Sequence, residues 1–291
     1  MKTLFNIGFA VIAIIFQSCA FVSSNNEKVA IEYSNDTAIQ AITSKINNLN
    51  VEHNEGKSEN EQEKYLIDIQ LKIQKAANEG FVSKKTDRLD EIEKSLDQLY
   101  TSNKHNIILY WKSYLQYFKT IIYMQNSDDK NASKANEASI ETLESIKLKN
   151  SEDYALYAMV KGLSFQYSSG IKAPFISSDI KDAIEKSIKL DPQNIRAYYV
   201  KGSNDFYTPK GYGGGKLVAE TLKKAISLKD ENVPNKILPS WGKEESYEML
   251  IKFYIKNANW KEAIIYFNEA LKKYPDNYLI YKLGAQLVGK G

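Results

Sequence analysis

Residues 243–275 read KEESYEMLIKFYIKNANWKEAIIYFNEALKKYP. Two helix-length runs lie within this stretch. In the first, Tyr247, Leu250 and Tyr254 step by three and then four residues, so one helical face carries all three. In the second, Ala263, Phe267 and Ala270 step by four and three. Small side chains let two antiparallel helices cross closely, and large ones fill the space on either side. Pro275 has no N–H to give and stops the second run. The spacing predicts a helix–turn–helix unit.

The same unit recurs upstream. Val160-Lys161-Gly162 returns forty residues later as Val200-Lys201-Gly202. Tyr and Ala precede each copy, as Tyr157-Ala158 and as Ala197-Tyr198. Aromatics follow each copy, as Phe165 and Tyr167 and as Phe206 and Tyr207. A loop rich in Gly, Pro and Ser then leads to a second helix around Ala183 and Ile184, or around Ala225 and Ile226. A Gly inside a helix costs about 1 kcal/mol relative to Ala. Gly162 and Gly202 are therefore expected where a neighbouring helix packs closely. Further toward the N-terminus, Leu89, Ile92, Leu96 and Leu99 form a helical stripe, as do Trp111, Tyr114, Leu115, Phe118 and Ile122. Ala135, Ala138, Leu143 and Ile146 mark another helix, and Gly80 reads as a helix stop. Ser58 and Glu61 have capping-box spacing, and Asp36 or Thr37 can cap a helix carrying Ile39, Ile42 and Ile46.

Counted back from Pro275, the positions of Tyr247, Leu250, Tyr254, Ala263, Phe267 and Ala270 resemble the 34-residue tetratricopeptide repeat. Ile251 departs from the family pattern, which has Gly there. Asp191 to Ala197, the 207–215 loop and Pro239 to Glu245 resemble a group of exported bacterial proteins built from such repeats. The resemblance is most specific over 191–275. It implies an all-α, tetratricopeptide-type helical-repeat solenoid over 105–291. Residues 36–104 are then N-terminal helices, either degenerate repeats or a cap. The resemblance also implies a groove lined by the first helix of each pair. Arg196, Tyr199, Ser203 and Phe206 step by three, four and three along the 195–207 helix and share its groove face. Such a stripe either holds a peptide or carboxylate, or packs on a neighbouring repeat. Glu245, Glu248 and Lys252 take the corresponding places in the last unit.

The N-terminus reads as an address. A basic start at Lys2 and an apolar run from Leu4 to Phe16 make residues 1–20 a signal peptide. The lone Cys19 ends the run like a lipobox, to which a lipid would be attached; cleavage after Ala20 is the alternative. Residues 21–35 form a polar tether. The expected location is thus the periplasm or a lipid-anchored place in a bacterial cell envelope. The membrane is met only through that lipid.

Composition narrows the function. With 43% hydrophobic residues the chain can bury a core, and with 14 Gly and 6 Pro it is poor in the turn-formers of a many-stranded barrel. Two His and one Cys exclude a Cys/His metal cluster. Lys and Arg total 39 against 36 acidic residues, and Arg88 and Arg196 are the only arginines, which argues against nucleic acid as a partner.

No motif supplies convergent catalytic roles. The loop Gly213-Gly214-Gly215-Lys216 lacks the first Gly and the hydroxyl of a phosphate-binding loop. It reads as a tight entry to a helix, with anion binding at that helix start as the other reading. His53 and His105 read as surface residues. Asp87, Asp90, Glu91 and Glu93 read as a solvated face, and Trp241 as a plug packed on a helix pair. The expectation is a non-catalytic scaffold for another protein or peptide, with no cofactor and no metal. The alternative is a periplasmic small-ligand binder associated with a transporter.

Overall fold

Asn and Asp side chains start many of the helices. Asn150, Asn194, Asn259 and Asn277 each accept the backbone N–H three residues on, at 3.0, 3.2, 3.5 and 2.8 Å. Asp128 does the same for Asn131 at 3.1 Å. Each such cap satisfies an amide that the helix itself leaves free, at about 1 kcal/mol. Asn194 and Asn277 come two residues after Pro192 and Pro275, so one helix is stopped and the next started within a few residues.

The computed structural model describes residues 64–232 and 235–290, and these are all-α, with no strand among them. The helices are α1 (Ile69–Ser83), α2 (Asp87–Ser102), α3 (Asn106–Gln125), α4 (Asp129–Glu144), α5 (Ser151–Leu163), α6 (Ala173–Leu190), α7 (Ile195–Tyr207), α8 (Val218–Ser227), α9 (Lys243–Lys256), α10 (Trp260–Lys273) and α11 (Tyr278–Leu283). The signal, Cys19, the tether, the 36–63 helix caps and His53 lie outside the described residues.

Consecutive helices pack as pairs, α3 with α4, α5 with α6, α7 with α8 and α9 with α10. Cross-contacts show that the partners run antiparallel. Ser151 meets Ser187 while Lys161 meets Asp179, and Tyr247 meets Lys273 while Tyr254 stacks on Tyr266. Each pair then leans on the next, because α5 touches α3 and α7, and α9 touches α7, α8 and α11. Two of the seams are sealed by matched serines. The hydroxyls of Ser113 and Ser139 lie 2.7 Å apart, and those of Ser151 and Ser187 lie 3.1 Å apart. Each hydroxyl also reaches the other residue's carbonyl, so the small polar groups are satisfied inside the core.

One apolar core runs from α1 to α7 and takes in Trp241, and a second runs from α7 to α11. Tyr199 packs against both. In the second core, Tyr247, Leu250, Ala263 and Ala270 are fully buried, as their spacing requires, and α10 ends two residues before Pro275. Ile251 is fully buried as well.

Three expectations are corrected. Gly80 does not stop α1, which continues to Ser83 and ends on Lys84 in the left-handed region. A Cβ on Gly80 would stand 2.6 Å from Ile122 Cδ1, so its role is close approach to α3. Gly202 meets the same demand, with Leu222 Cδ2 2.6 Å from its Cβ position, but Gly162 has open space there. The acidic face of α2 is partly an inter-helix seam. Lys119 of α3 pairs with Asp90 at 2.7 Å and Glu93 at 2.8 Å, and Lys112 pairs with Asp97.

Candidate functional site

The α6–α7 turn takes four residues, but fifteen, 228–242, lie between α8 and α9. This link folds back across the first helices. The Asp68 N–H donates to the Lys236 carbonyl at 3.0 Å, and the Ser240 N–H donates to Gln70 Oε1 at 2.8 Å, both at the start of α1. Trp111 Nε1 of α3 donates to the Ile237 carbonyl at 2.9 Å. Trp241 drops into the core, donating from Nε1 to the Tyr110 hydroxyl at 2.8 Å. Its ring stacks on Tyr114 at 6.0 Å and meets Tyr199 edge-on at 6.0 Å. The plug reading of Trp241 therefore holds.

The stripe on α7 meets this link. Arg196 is 3% exposed. Its Nε donates to both Glu152 oxygens, at 2.8 and 3.1 Å, and its Nη1 donates to Asp230 at 3.1 Å and to the Trp241 carbonyl at 3.3 Å. Burial disfavours the charged guanidinium, but Glu152 and Asp230 outweigh it and hold its pKa above the ordinary value. Burial pushes the Glu152 carboxyl up while Arg196 pulls it down. Asn232 donates to Glu152 at 3.0 Å and completes the cluster.

Of the other stripe residues, Tyr199 packs between the two cores, and burial raises its hydroxyl pKa. Phe206 is buried in the second core beneath Lys256, whose Nζ is 4.9 Å from the ring centroid. Ser203 is partly buried. The four residues thus share a helix face but do not line an open groove, because the 228–242 link covers Arg196 and Tyr199. In the last unit, Glu245 turns back to accept the Gly242 N–H at 2.7 Å, and Lys252 pairs with Glu248.

The glycine loop is also occupied from within. Asp205 of α7 accepts the Leu217 and Val218 N–H groups at 2.6 and 3.0 Å and caps α8 across the loop. These are two of the amides an anion at the α8 start would use, and Asp205 already holds them with a negative charge, which disfavours the anion reading. Gly213 and Gly215 have φ of 91° and 85°, which L side chains rarely adopt. A Cβ on Gly214 would stand 1.9 Å from the Thr208 carbonyl oxygen. His105 is a cap, with Nδ1 facing the Ile107 N–H at 3.4 Å, and burial lowers its pKa.

A second concavity was not legible in the sequence. A cleft of about 520 Å³ lies between α8, the start of the link, the start of α9 and α10. Lys223, Lys229, Lys243 and Lys273 line it, with Glu269 the one carboxylate and with Tyr247, Tyr266 and Ile226 among the other walls. The Lys273 ammonium donates to Tyr247 Oη at 2.6 Å and lies 2.8 Å from Glu269. The Lys223 ammonium sits over the stacked rings of Tyr254 and Tyr266, 5.7 and 5.4 Å from their centroids. These lysines come from three separate segments in a Lys-rich chain, so no spacing singles them out.

Among the described residues, no group of three His, Cys, Asp or Glu is placed to hold a metal ion. No helix among them is long and apolar enough to cross a membrane. Comparison of the chain with protein-family models, with curated proteins and with solved structures gave no match.

Proposed function

We propose that this chain is an exported, non-catalytic scaffold of tetratricopeptide type, which holds another protein in a bacterial cell envelope. The observation that carries this reading is a pair of enlarged loops. Helices α5 and α7 both have 13 residues and start side by side, with Asn194 Nδ2 donating to Ser151 Oγ at 2.7 Å. Their C-terminal loops, 164–172 and 208–217, therefore leave the stack from one edge. Those loops and the adjoining first turn of α6 expose Ile171, Phe175 and Tyr212 at 84%, 70% and 78%, with no Asp or Glu among the loop residues. Clustered exposed apolar side chains mark interaction surfaces. The link that fills the α7 face leaves this edge as the better surface for a partner.

Crosslinking in cells, followed by mass spectrometry, tests the proposal. A specific protein is expected on peptides from 164–175 and 208–217, lost when Ile171→Ser and Tyr212→Ser are combined. Recovery of no protein at this edge from intact envelopes would defeat it. Mass spectrometry of the mature N-terminus tests the export step. A lipidated Cys19 or a start at Phe21 fits export, and a retained Met1 does not.

A second reading, a small-ligand binder, is favoured by one observation, the lysine- and tyrosine-lined cleft beside α8 and α10. A cleft of that volume is within the range of small-molecule sites.

A further inference from the structure

The cations in this cleft are unequally matched. Lys273 has Glu269, Lys229 has Glu231 at 3.1 Å, and Lys223 has Glu262 at 3.4 Å. Lys243, at the start of α9, donates to the Leu228 carbonyl. The carboxylate that acts on it through space, Asp230, is already bound by Arg196 at 3.1 Å. Partial burial and the like charge of Lys273 both hold the Lys243 pKa below its ordinary value. A half-buried ammonium facing a second ammonium is costly unless an anion stands between them.

From this geometry we infer that the cleft binds a small organic anion, its phosphate or carboxylate group held between Lys243 and Lys273 and its uncharged part along Ile226 and Tyr266. The anion would take charge-assisted hydrogen bonds from two ammoniums at a site where water is partly displaced. Tyr266 lines the cleft and is held in place by its stack on Tyr254. The inference rests on the small-ligand reading and gives it a chemical class.

The test uses the purified full-length protein, with inorganic phosphate and citrate as probes and sodium chloride at equal ionic strength as reference. Lysine acetylation footprinting reads the site, and titration calorimetry reads affinity. Phosphate, citrate or both are expected to protect Lys243 and Lys273 at least ~5-fold more than chloride does, while Lys186 on α6 is unaffected. Which probe protects tells a phosphate ligand from a carboxylate one. Losing one charge-assisted contact is worth about tenfold in affinity, so Lys273→Gln and Lys243→Gln should each weaken binding by roughly that factor. Lys273 is half-exposed, so its variant stays folded even where Lys243→Gln does not. Protection no greater than in chloride, or Lys273→Gln binding as tightly as the parent, overturns the inference. If a neutral metabolite from a cell extract shields this cleft and neither anion does, the inference fails and the small-ligand reading survives. If no extract component shields it either, both fail.

Discussion

The pairs α5–α6 and α7–α8 share a motif in their first helices and end differently. Both first helices carry Val-Lys-Gly, both have 13 residues, and both start on an Asn cap. The second helix has 18 residues in α6 and 10 in α8. At Gly202 the α8 helix presses in, and Leu222 occupies the space a side chain would need; at Gly162 that space is empty. A second helix about two turns shorter leaves the chain to travel by another route. It does so through the 228–242 link, which carries Trp241 into the core of the pairs before it. One motif thus supports either a plain stacked pair or a pair whose chain returns to seal its neighbours.

The sharpest way to break this contrast is to empty the plug. Trp241→Ala should cost about 4 kcal/mol in urea unfolding, from lost apolar burial and the cavity left behind. Tyr110→Phe, which removes only the indole's acceptor, should cost about 1 kcal/mol. If Trp241→Ala costs no more than that, the link is not a structural member. Arg196→Ala leaves Glu152 and Asp230 facing each other without their cation and should cost about 3 kcal/mol. Arg196→Ala combined with Glu152→Ala should cost less than the two changes added, which a double-mutant cycle will show.

Acidity offers the next test. Burial pushes the carboxyl groups of Asp153 and Glu245 up to about 7. When the chain unfolds, such groups return to roughly 4 and release their protons. Unfolding therefore becomes easier as pH rises from 5 to 8, by about 2–3 kcal/mol for each group. Melting followed at both pH values should show the decline, and Glu245→Gln should flatten part of it. A melting temperature that climbs over this range would show that these carboxyls do not control stability.

The two glycines give the smallest and cleanest comparison. Gly202→Ala must displace Leu222 and Thr221 and should destabilise by about 1–2 kcal/mol. Gly162→Ala meets nothing and should stabilise by up to ~1 kcal/mol. Equal effects at the two positions would erase the distinction between the pairs.

The helices were legible because period and caps are local. Leu89 to Leu99, Trp111 to Ile122 and Tyr247 to Ala270 fall on the faces that their spacing assigns. The residues of 195–207 match α7 end to end. What stayed hidden depends on contacts between distant segments. Nothing near Arg196 announces Glu152, 44 residues earlier, or Asp230, 34 residues later. Gly162 and Gly202 read alike because each one's environment belongs to its partner helix. Asp205 gave no sign that it caps α8, since it stands twelve residues before the amide it holds. The lysine cleft was invisible for the opposite reason: lysine is so common in this chain that its placement carries no signal until the fold gathers it.

In an open row of stacked helix pairs, each member leans only on those beside it and the ends can peel away one at a time. The tie from Lys236 and Ser240 to Asp68 and Gln70 spans 168 and 170 residues, and so binds an early helix to a late one. Closing so long a loop slows assembly, since its entropy is lost before the contacts form. In return, α1 cannot fray without disturbing the entry to α9.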